Sequence, residues 1–307
     1  PDGSTSRYIS GFSCEKGTVE SEESMLALVA DRKKIAKQFP NLVDYESKLA
    51  FRHFYEPAKM PADGELVDDI ALKKGFLTLR RVTTKRPFKR SGEQVREQLR
   101  RIRVGIPRVM NIYSTAPYFR TYFEALGMPR QNVVFSDHTS EEMWVEGGKY
   151  GSIDPCFPSK VSQAHIHNLL FHHHTDEGVM DKASCPIVAG VPDVMKAAFT
   201  KEVDFFAQRG IEYLDPPLTF SEMHLTARRM FEVWGPRLGI TEDESDFAHR
   251  EAMHALAQFE RDLQDKGRAI LETVEAENRI AILMVGRPYH SDPGLNHGIP
   301  EEFQVLG

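Results

Sequence analysis

The sequence predicts an α/β fold with open parallel sheets and flanking helices, preceded by a mostly helical N-terminal segment. Two short apolar strands, residues 103–109 and 133–135, are each followed by a polar loop and a helical segment, which is the repeating unit of an open parallel sheet. Residues 279–286 are nearly all apolar, as expected for a strand buried on both faces of such a sheet. We therefore expect two α/β layers, one near the middle of the chain and one beginning near its end.

The first segment, residues 1–100, is predicted to be mainly helical. Apolar residues at helical spacing predict an amphipathic helix over residues 22–37, which Pro40 ends, and a second helix over 42–55. Residues 72–90 are interpreted as a further helix with a basic connector. A turn around Cys14 precedes these helices.

Residues 101–220 are predicted to form the α/β domain. After the first strand we expect a helix over 117–126, and after the second a helix over 141–146 that Ser140 caps. A third helix is predicted over 161–171. Side chains on loops that follow parallel strands are favoured positions for a site.

Residues 221–307 are predicted to contain two helices and the start of a second α/β domain. The helices cover 223–231 and 242–275, and the apolar strand leads into a polar loop, residues 286–300, followed by a short helix. Because the chain opens at Pro1 and stops shortly after this helix, we interpret it as part of a longer polypeptide.

Composition narrows the classes of partner. The chain has 307 residues, three cysteines and a net charge of −6, which offers no basic surface for nucleic acid and no disulfide framework. Its sequence contains no apolar run near the roughly 18 residues that a membrane helix needs, and no signal peptide. We expect a cytoplasmic protein that binds neither nucleic acid nor membrane.

The chemistry is expected around two cysteines. Cys156 and Cys185, each next to a proline, flank a run that holds five of the 12 histidines. Thiolates are preferred ligands of iron–sulfur clusters and zinc. Three consecutive histidines, 172–174, point about 100° apart on a helix and cannot converge on one ion, so we expect an exposed helix end there. Cys14 is a weaker candidate ligand.

Other polar residues are candidates for the surroundings of such a site. His165 is placed by the predicted helix so that it could donate to a sulfur or to a backbone carbonyl, and both alternatives stay open. Lys160 and Arg108 carry positive charge that would suit an anion or belong to the ordinary surface. The loop after the last strand is rich in polar side chains that would line a pocket or cap the sheet: Arg287, Tyr289, His290, Asn296 and His297.

Several motifs in one order carry a resemblance to a known family. They are GIPRV at 105–109, CFPSK at 156–160, SCPIV at 184–188, GRPYH at 286–290, NHGIP at 296–300, and the stretch 7–20. Together they resemble the acyl-CoA dehydratase activase-related proteins, large activases of the 2-hydroxyglutaryl-CoA dehydratase activator type, in their dehydratase-subunit-like segment. The family is related to double-cubane iron–sulfur cluster proteins.

The resemblance implies a cofactor, partners and an activity. It implies flavodoxin- or Rossmann-like layers that hold a [4Fe–4S] or double-cubane cluster through Cys156 and Cys185, with further ligands beyond Gly307 and with loss of the cluster in air. It implies low-potential electron transfer driven by an actin-like ATPase module, with ATP bound only in other modules. An acyl-CoA or small-molecule acceptor and a homodimer are further implied partners.

Two alternatives from other classes remain. The chain would serve as a non-catalytic docking or scaffold domain of the same large protein, or it would hold a mononuclear zinc or iron ion with cysteine and histidine ligands. The sequence contains neither a P-loop nor a Gly-x-Gly-x-x-Gly motif, so it supports no nucleotide site of its own.

Overall fold

The computed structural model describes residues 21–74, 79–150, 156–173, 179–180, 191–220 and 222–306. These residues belong to two compact units. One comprises the chain up to Leu42 together with the segment from Gly298 onward, and the other comprises Val43–His297. The segment boundaries predicted near residues 100 and 220 both fall inside the second unit.

The first unit is built from two helices, α1 (Glu22–Ala36) and, at the other end of the chain, Ile299–Leu306. Helix α1 begins where the Ser21 hydroxyl accepts a hydrogen bond from the Ser24 N–H, which satisfies one of the free donors of the first turn. The helices are joined by an ion pair between Arg32 and Glu302. The predicted helix over 22–37 is thus confirmed.

The second unit contains the remaining elements. Its helices are α2 (Leu42–Phe51), α3 (Glu93–Leu99), α4 (Ile112–Ala125), α5 (Glu141–Gly147), α6 (Phe157–Phe171), α7 (Val191–Thr200), α8 (Phe205–Gln208), α9 (Met223–Leu238) and α10 (Glu242–Ala276). Its strands are β1 (Leu66–Lys74), β2 (Leu79–Pro87), β3 (Val104–Ile106), β4 (Val133–Phe135), β5 (Val179–Met180) and β6 (Tyr213–Leu214). The helix Ile299–Leu306 is α11.

Strands β1 and β2 form an antiparallel hairpin in which Leu66 pairs with Pro87 and Lys74 with Leu79. The helix predicted over 72–90 is therefore wrong. The reason lies in the alternation along β2, where Val82, Thr84 and Arg86 are half-buried and the residues between them are exposed. A period of two with β-branched residues favours a strand, whereas a charged stretch without helical spacing has no face to bury.

The four strands β4, β3, β5 and β6 lie side by side in that order and are parallel. Val104 pairs with Val133 and Ile106 with Phe135, so the carboxyl ends of β3 and β4 lie at one edge of the sheet. Helices pack on this sheet. The structure thus confirms the predicted α/β class and both predicted short strands.

Helix α4 lies at the centre of the main core. Its rings at Tyr113, Tyr118, Phe119, Tyr122 and Phe123 are fully buried. Helix α10 packs along it, and its own start is defined by Thr241, whose hydroxyl accepts from the Glu244 N–H while the Glu244 carboxylate accepts from the Thr241 N–H. Helix α4 begins at Ile112, earlier than the predicted 117, and includes Pro117.

The apolar run 279–286 is not a strand, and this prediction is wrong. Ile280 is 91% exposed and Val285 is 89% exposed, and no strand pairs with this run in the part of the chain that the structure describes. An apolar sequence is compatible with a buried strand, but burial also needs a neighbouring strand and covering helices, which local residues do not supply.

Two other predictions concern helices. Helix α5 begins after Ser140, whose hydroxyl accepts from the Met143 N–H, as predicted. The predicted helix over 242–275 is confirmed as α10. None of the helices in the described ranges has the length and apolar character required to cross a membrane.

Candidate functional site

The carboxyl ends of β3 and β4, helix α6 and the segment after residue 290 meet around four hydrogen-bonded polar side chains, here called the polar cluster. Of these, Ser136, His165 and Asp292 are buried and Thr139 is half-buried. The loop after β3 holds Met110 at φ 50°, a conformation that a bulky side chain rarely adopts outside tightly determined sites. Long-range hydrogen bonds and a constrained backbone thus meet at this edge of the sheet, which makes it the candidate functional site among the described residues.

His165 is the centre of the polar cluster. It is completely buried, its Nδ1 lies 2.7 Å from the Ser136 hydroxyl and its Nε2 lies 2.8 Å from the Thr139 hydroxyl. Burial, and next the positive charge of Arg108, lower the pKa of His165 to about 3, so its ring is neutral near pH 7. Both ring nitrogens bond to hydroxyl groups rather than to a sulfur or a backbone carbonyl, the two partners considered from the sequence.

Asp292 links the C-terminal loop to the sheet. Its Oδ2 accepts from the Thr139 hydroxyl at 2.5 Å, and its Oδ1 accepts from the N–H of Gly294 at 2.7 Å. Burial raises the pKa of Asp292, and these hydrogen bonds oppose that rise. The hydroxyl of Tyr113 is buried near Thr139 and Asp292 without a hydrogen bond of good geometry, and burial with the Asp292 charge raises its pKa.

Arg108 brings positive charge to the same edge. Its guanidinium packs on the Phe51 ring at 4.5 Å and its Nη1 lies 3.0 Å from His138 Nε2. Burial lowers the pKa of Arg108, and the nearby carboxylates of Asp137 and Asp292 oppose this. Arg108 is thus compensated by acidic neighbours and is not an isolated cation at the surface.

A second set of contacts fixes the loop after β4 onto α6. The Asn168 amide accepts from the Asp137 N–H at 3.0 Å and donates to the Asp137 carboxylate at 2.9 Å. The Nε2 of His173 lies 3.0 Å from the other Asp137 oxygen. His172 instead faces Glu146, so the described members of the histidine run diverge, as predicted.

Cys156 lies at the N-terminal cap of α6 and is partly exposed. Its Sγ is 3.1 Å from the Ser159 hydroxyl. The ring of the next residue, Phe157, stacks on the ring of His297 with 5.5 Å between centroids. Cys156 therefore lies beside the loop that the sequence singled out, while Lys160, half-buried, lies in the same first helical turn.

The other loop residues have different surroundings. Arg287 and His290 are exposed and bonded to each other, since the Arg287 N–H donates to His290 Nδ1 at 2.8 Å. Tyr289 is half-buried against the apolar core around α6, and Asn296 is buried. His297 is exposed at φ 56°. Of the other candidate ligands, Cys185 and Cys14 lie outside the described residues.

Sequence reasoning did not single out Ser136, Thr139, Asp292, Asp137 or Asn168. A signal existed for the first of these, because a strand followed directly by Ser136-Asp137-His138-Thr139 is a polar loop at the carboxyl end of a parallel strand. For Asp292 no local signal existed. Its partner Thr139 is 153 positions away in the chain.

We expect Gly294→Ala to weaken the polar cluster. A Cβ on Gly294 would lie 2.7 Å from Thr139 Cβ and closer still to its Cγ2, so the loop must shift away from β4. Such overpacking lowers the free energy of unfolding by about 1–3 kcal/mol. Urea denaturation measures the loss.

A double-mutant cycle tests the cause. Thr139→Ser removes the clashing methyl group but keeps the hydroxyl, so Gly294→Ala should be less destabilising in the Thr139→Ser background. Equal losses in both backgrounds would contradict this account.

The fold and the site define an α/β protein with a hydrogen-bonded polar cluster at the carboxyl edge of its parallel sheet and, among the described cysteines, a partly exposed thiol at the start of α6. Residues 103–307 match the family described as the CoA enzyme activase uncharacterised domain (DUF2229), and this match covers more than half of the chain. The chain belongs to this family.

Membership confirms the activase part of the resemblance to acyl-CoA dehydratase activase-related proteins. It indicates an activase-type role together with a dehydratase or ATPase module. Comparison with curated proteins and with solved structures found no match to the chain.

Proposed function

We propose that this chain is the cluster-binding part of an ATP-dependent activase system and passes low-potential electrons to an acceptor. Cys156 and Cys185 would hold an iron–sulfur cluster, which supplies one-electron transfer at low potential when bound. ATP hydrolysis belongs to an actin-like partner module. The proposal rests on family membership and on the placement of Cys156.

The observation that carries the proposal is the position of Cys156. Its thiol is partly exposed, lies at the N-terminus of a 15-residue helix and lies 3.1 Å from the Ser159 hydroxyl. Peptide N–H groups at a helix N-terminus favour negative charge, which suits a thiolate or an anionic cluster. A cysteine used only for packing would instead be enclosed by apolar side chains.

The polar cluster fixes the helix that follows Cys156. His165 and Asn168 fix α6 to the loop after β4, and Asp292 fixes the C-terminal loop to the same place. Because α6 begins directly after Cys156, these contacts fix the helix that presents the thiol. Both ring nitrogens of His165 are bonded in these contacts. The ring therefore positions the helix and does not transfer protons.

Anaerobic reconstitution with iron and sulfide tests the proposal. The full-length polypeptide should then show the broad charge-transfer absorption of an iron–sulfur cluster and contain acid-labile sulfide. Cys156→Ala combined with Cys185→Ala should abolish both, and Cys14→Ala is the matched removal of a thiol that should leave most of the signal. Absorption that persists in the double variant contradicts the assignment.

A second candidate function is a docking domain without a cluster. One observation favours it: Ser136, Thr139, His165 and Asp292 satisfy one another and leave no free group for a substrate. In that case Cys156→Ala with Cys185→Ala leaves electron delivery from the ATPase module to the acceptor unchanged. Loss of delivery with retained binding of the module supports cluster binding instead.

A further inference from the structure

Three side chains place possible metal ligands together at the C-terminal ends of α5 and α6. They are Glu146, His167 and His172, and one ligand atom from each lies within 4.8 Å of the other two. The Glu146 Oε2 is 3.0 Å from His172 Nε2. We propose that these three residues bind a divalent first-row transition metal ion, with Zn²⁺ as the first ion to test.

The packing around His167 prepares it to act as a ligand. Its ring is 6% exposed, stacks on Phe171 with 4.4 Å between centroids and lies 4.8 Å from the Tyr150 ring. These contacts hold the imidazole in one orientation, so little side-chain freedom is lost when a metal binds. Its Nδ1 is buried without a hydrogen-bond partner, which is uncommon for a buried polar atom.

The charges around the three ligand atoms also suit a cation site. The Glu146 carboxylate supplies the negative charge that a divalent ion needs against Lys149 and Arg209.

The donor set indicates the class of ion. Two imidazole nitrogens and one carboxylate are the ligands of His₂Glu zinc sites and of two-histidine, one-carboxylate iron sites, whereas Mg²⁺ and Ca²⁺ prefer oxygen ligands alone. Ligands of a tetrahedral Zn²⁺ are about 3.3 Å apart at bonds of about 2 Å. Since all three ligand atoms lie within 4.8 Å of one another, no separation needs to shrink by more than about 1.5 Å, which the half-exposed Glu146 and His172 side chains can supply.

The position of the site gives it a structural consequence. Glu146 is in the last turn of α5, and His172 caps the C-terminus of α6. The two helices already pack closely, because a Cβ on Gly147 would clash with the backbone of Ala164. A bound ion would add a second link between them. Since α6 begins directly after Cys156, the ion would stabilise the helix that presents this thiol. Among the residues that the structure describes, no cysteine belongs to this group.

Titration of the whole chain with Co²⁺ and Zn²⁺ tests the proposal. One equivalent of Co²⁺ should bind with the visible d–d absorption of nitrogen and oxygen ligands and without thiolate charge-transfer bands. Zn²⁺ should displace it and raise the melting temperature. Glu146→Gln combined with His172→Ala should weaken binding by at least about 100-fold, which is the upper end of the loss seen when only an outer-shell partner is removed.

Controls separate the site from folding defects and from the cysteines. Both substituted residues are half-exposed, so the double variant should keep the wild-type far-ultraviolet circular dichroism, and His167→Ala should also lose the ion. The exposed pair Glu222 and His224 is the matched control: Glu222→Gln with His224→Ala should leave binding unchanged.

The proposal is overturned if the wild-type chain does not bind one equivalent of Co²⁺, or if the Glu146/His172 double variant binds Co²⁺ with the wild-type affinity. It is also overturned if bound Co²⁺ shows thiolate charge-transfer bands that disappear in Cys156→Ser with Cys185→Ser.

Discussion

Acidification from pH 6.5 toward pH 3 should lower the free energy of unfolding, and His165→Gln should remove much of this dependence. The ring of His165 is completely buried between two hydroxyl groups, and its pKa falls to about 3 in the folded chain. In the unfolded chain the pKa is about 6.5. The stability that depends on a neutral His165 is therefore present above pH 6.5 and is lost as the pH falls through the folded value.

The size of this loss of stability follows from the difference between the folded and unfolded pKa values. A difference of about 3.5 pKa units at about 1.4 kcal/mol each corresponds to about 5 kcal/mol at full protonation, which is comparable to the whole stability of many domains. His249 acts in the same direction, because burial, with the Arg250 charge second, lowers its pKa to about 4. Asp292 acts in the opposite direction: its pKa is raised, so its contribution is full at low pH and is lost as the pH rises.

Urea denaturation between pH 4 and pH 8 measures the effect. Between these limits the wild-type free energy of unfolding should fall with decreasing pH, and His165→Gln should be less stable at pH 8 but should show a flatter profile. His254, which is exposed, provides the matched control, and His254→Gln should follow the wild-type curve. Parallel curves for wild type and His165→Gln would show that His165 is not held neutral by the fold.

Phe123→Ala should strongly destabilise the main core, with a loss of about 3–5 kcal/mol. Phe123 on α4 is fully buried, and its ring meets Trp234 of α9 edge to face at 4.9 Å. Truncation removes this aromatic pair and leaves a cavity between two helices that the surrounding rings cannot fill.

Guanidinium denaturation of the purified variant measures this loss. Leu271→Ala, on the exposed part of α10, deletes a large apolar side chain without opening a cavity and should change stability by less than about 0.5 kcal/mol. A loss below about 1 kcal/mol for Phe123→Ala would mean that α4 and α9 do not pack as described.

Several elements could be predicted because their causes are local. Ser140 caps α5 through a bond to an N–H three residues ahead, and the spacing of apolar residues over 22–37 predicts α1. The strands β3 and β4 are short apolar runs bounded by polar loops. In each case the residues that stabilise the element lie within one or two turns of it.

The wrong predictions share a physical cause. Residues 72–90 form part of a hairpin because a partner strand lies opposite, and residues 279–286 stay exposed because no strand lies beside them in the described part of the chain. Strand formation depends on pairing across the sheet, and composition alone does not reveal whether a partner is present.

In the candidate site, too, local features could be predicted and long-range contacts could not. The sequence by itself determined the family, the α/β class and the residue types that suit a cluster, among them Cys156. That α6 begins directly after Cys156, and not at the predicted residue 161, was decided by the structure. Only the tertiary structure decided that His165 bonds to Ser136 and Thr139, 29 and 26 positions away, and that Asp292 completes the polar cluster. A buried hydrogen bond requires partners from distant parts of the chain, and folding of the sheet is what brings them within 3 Å.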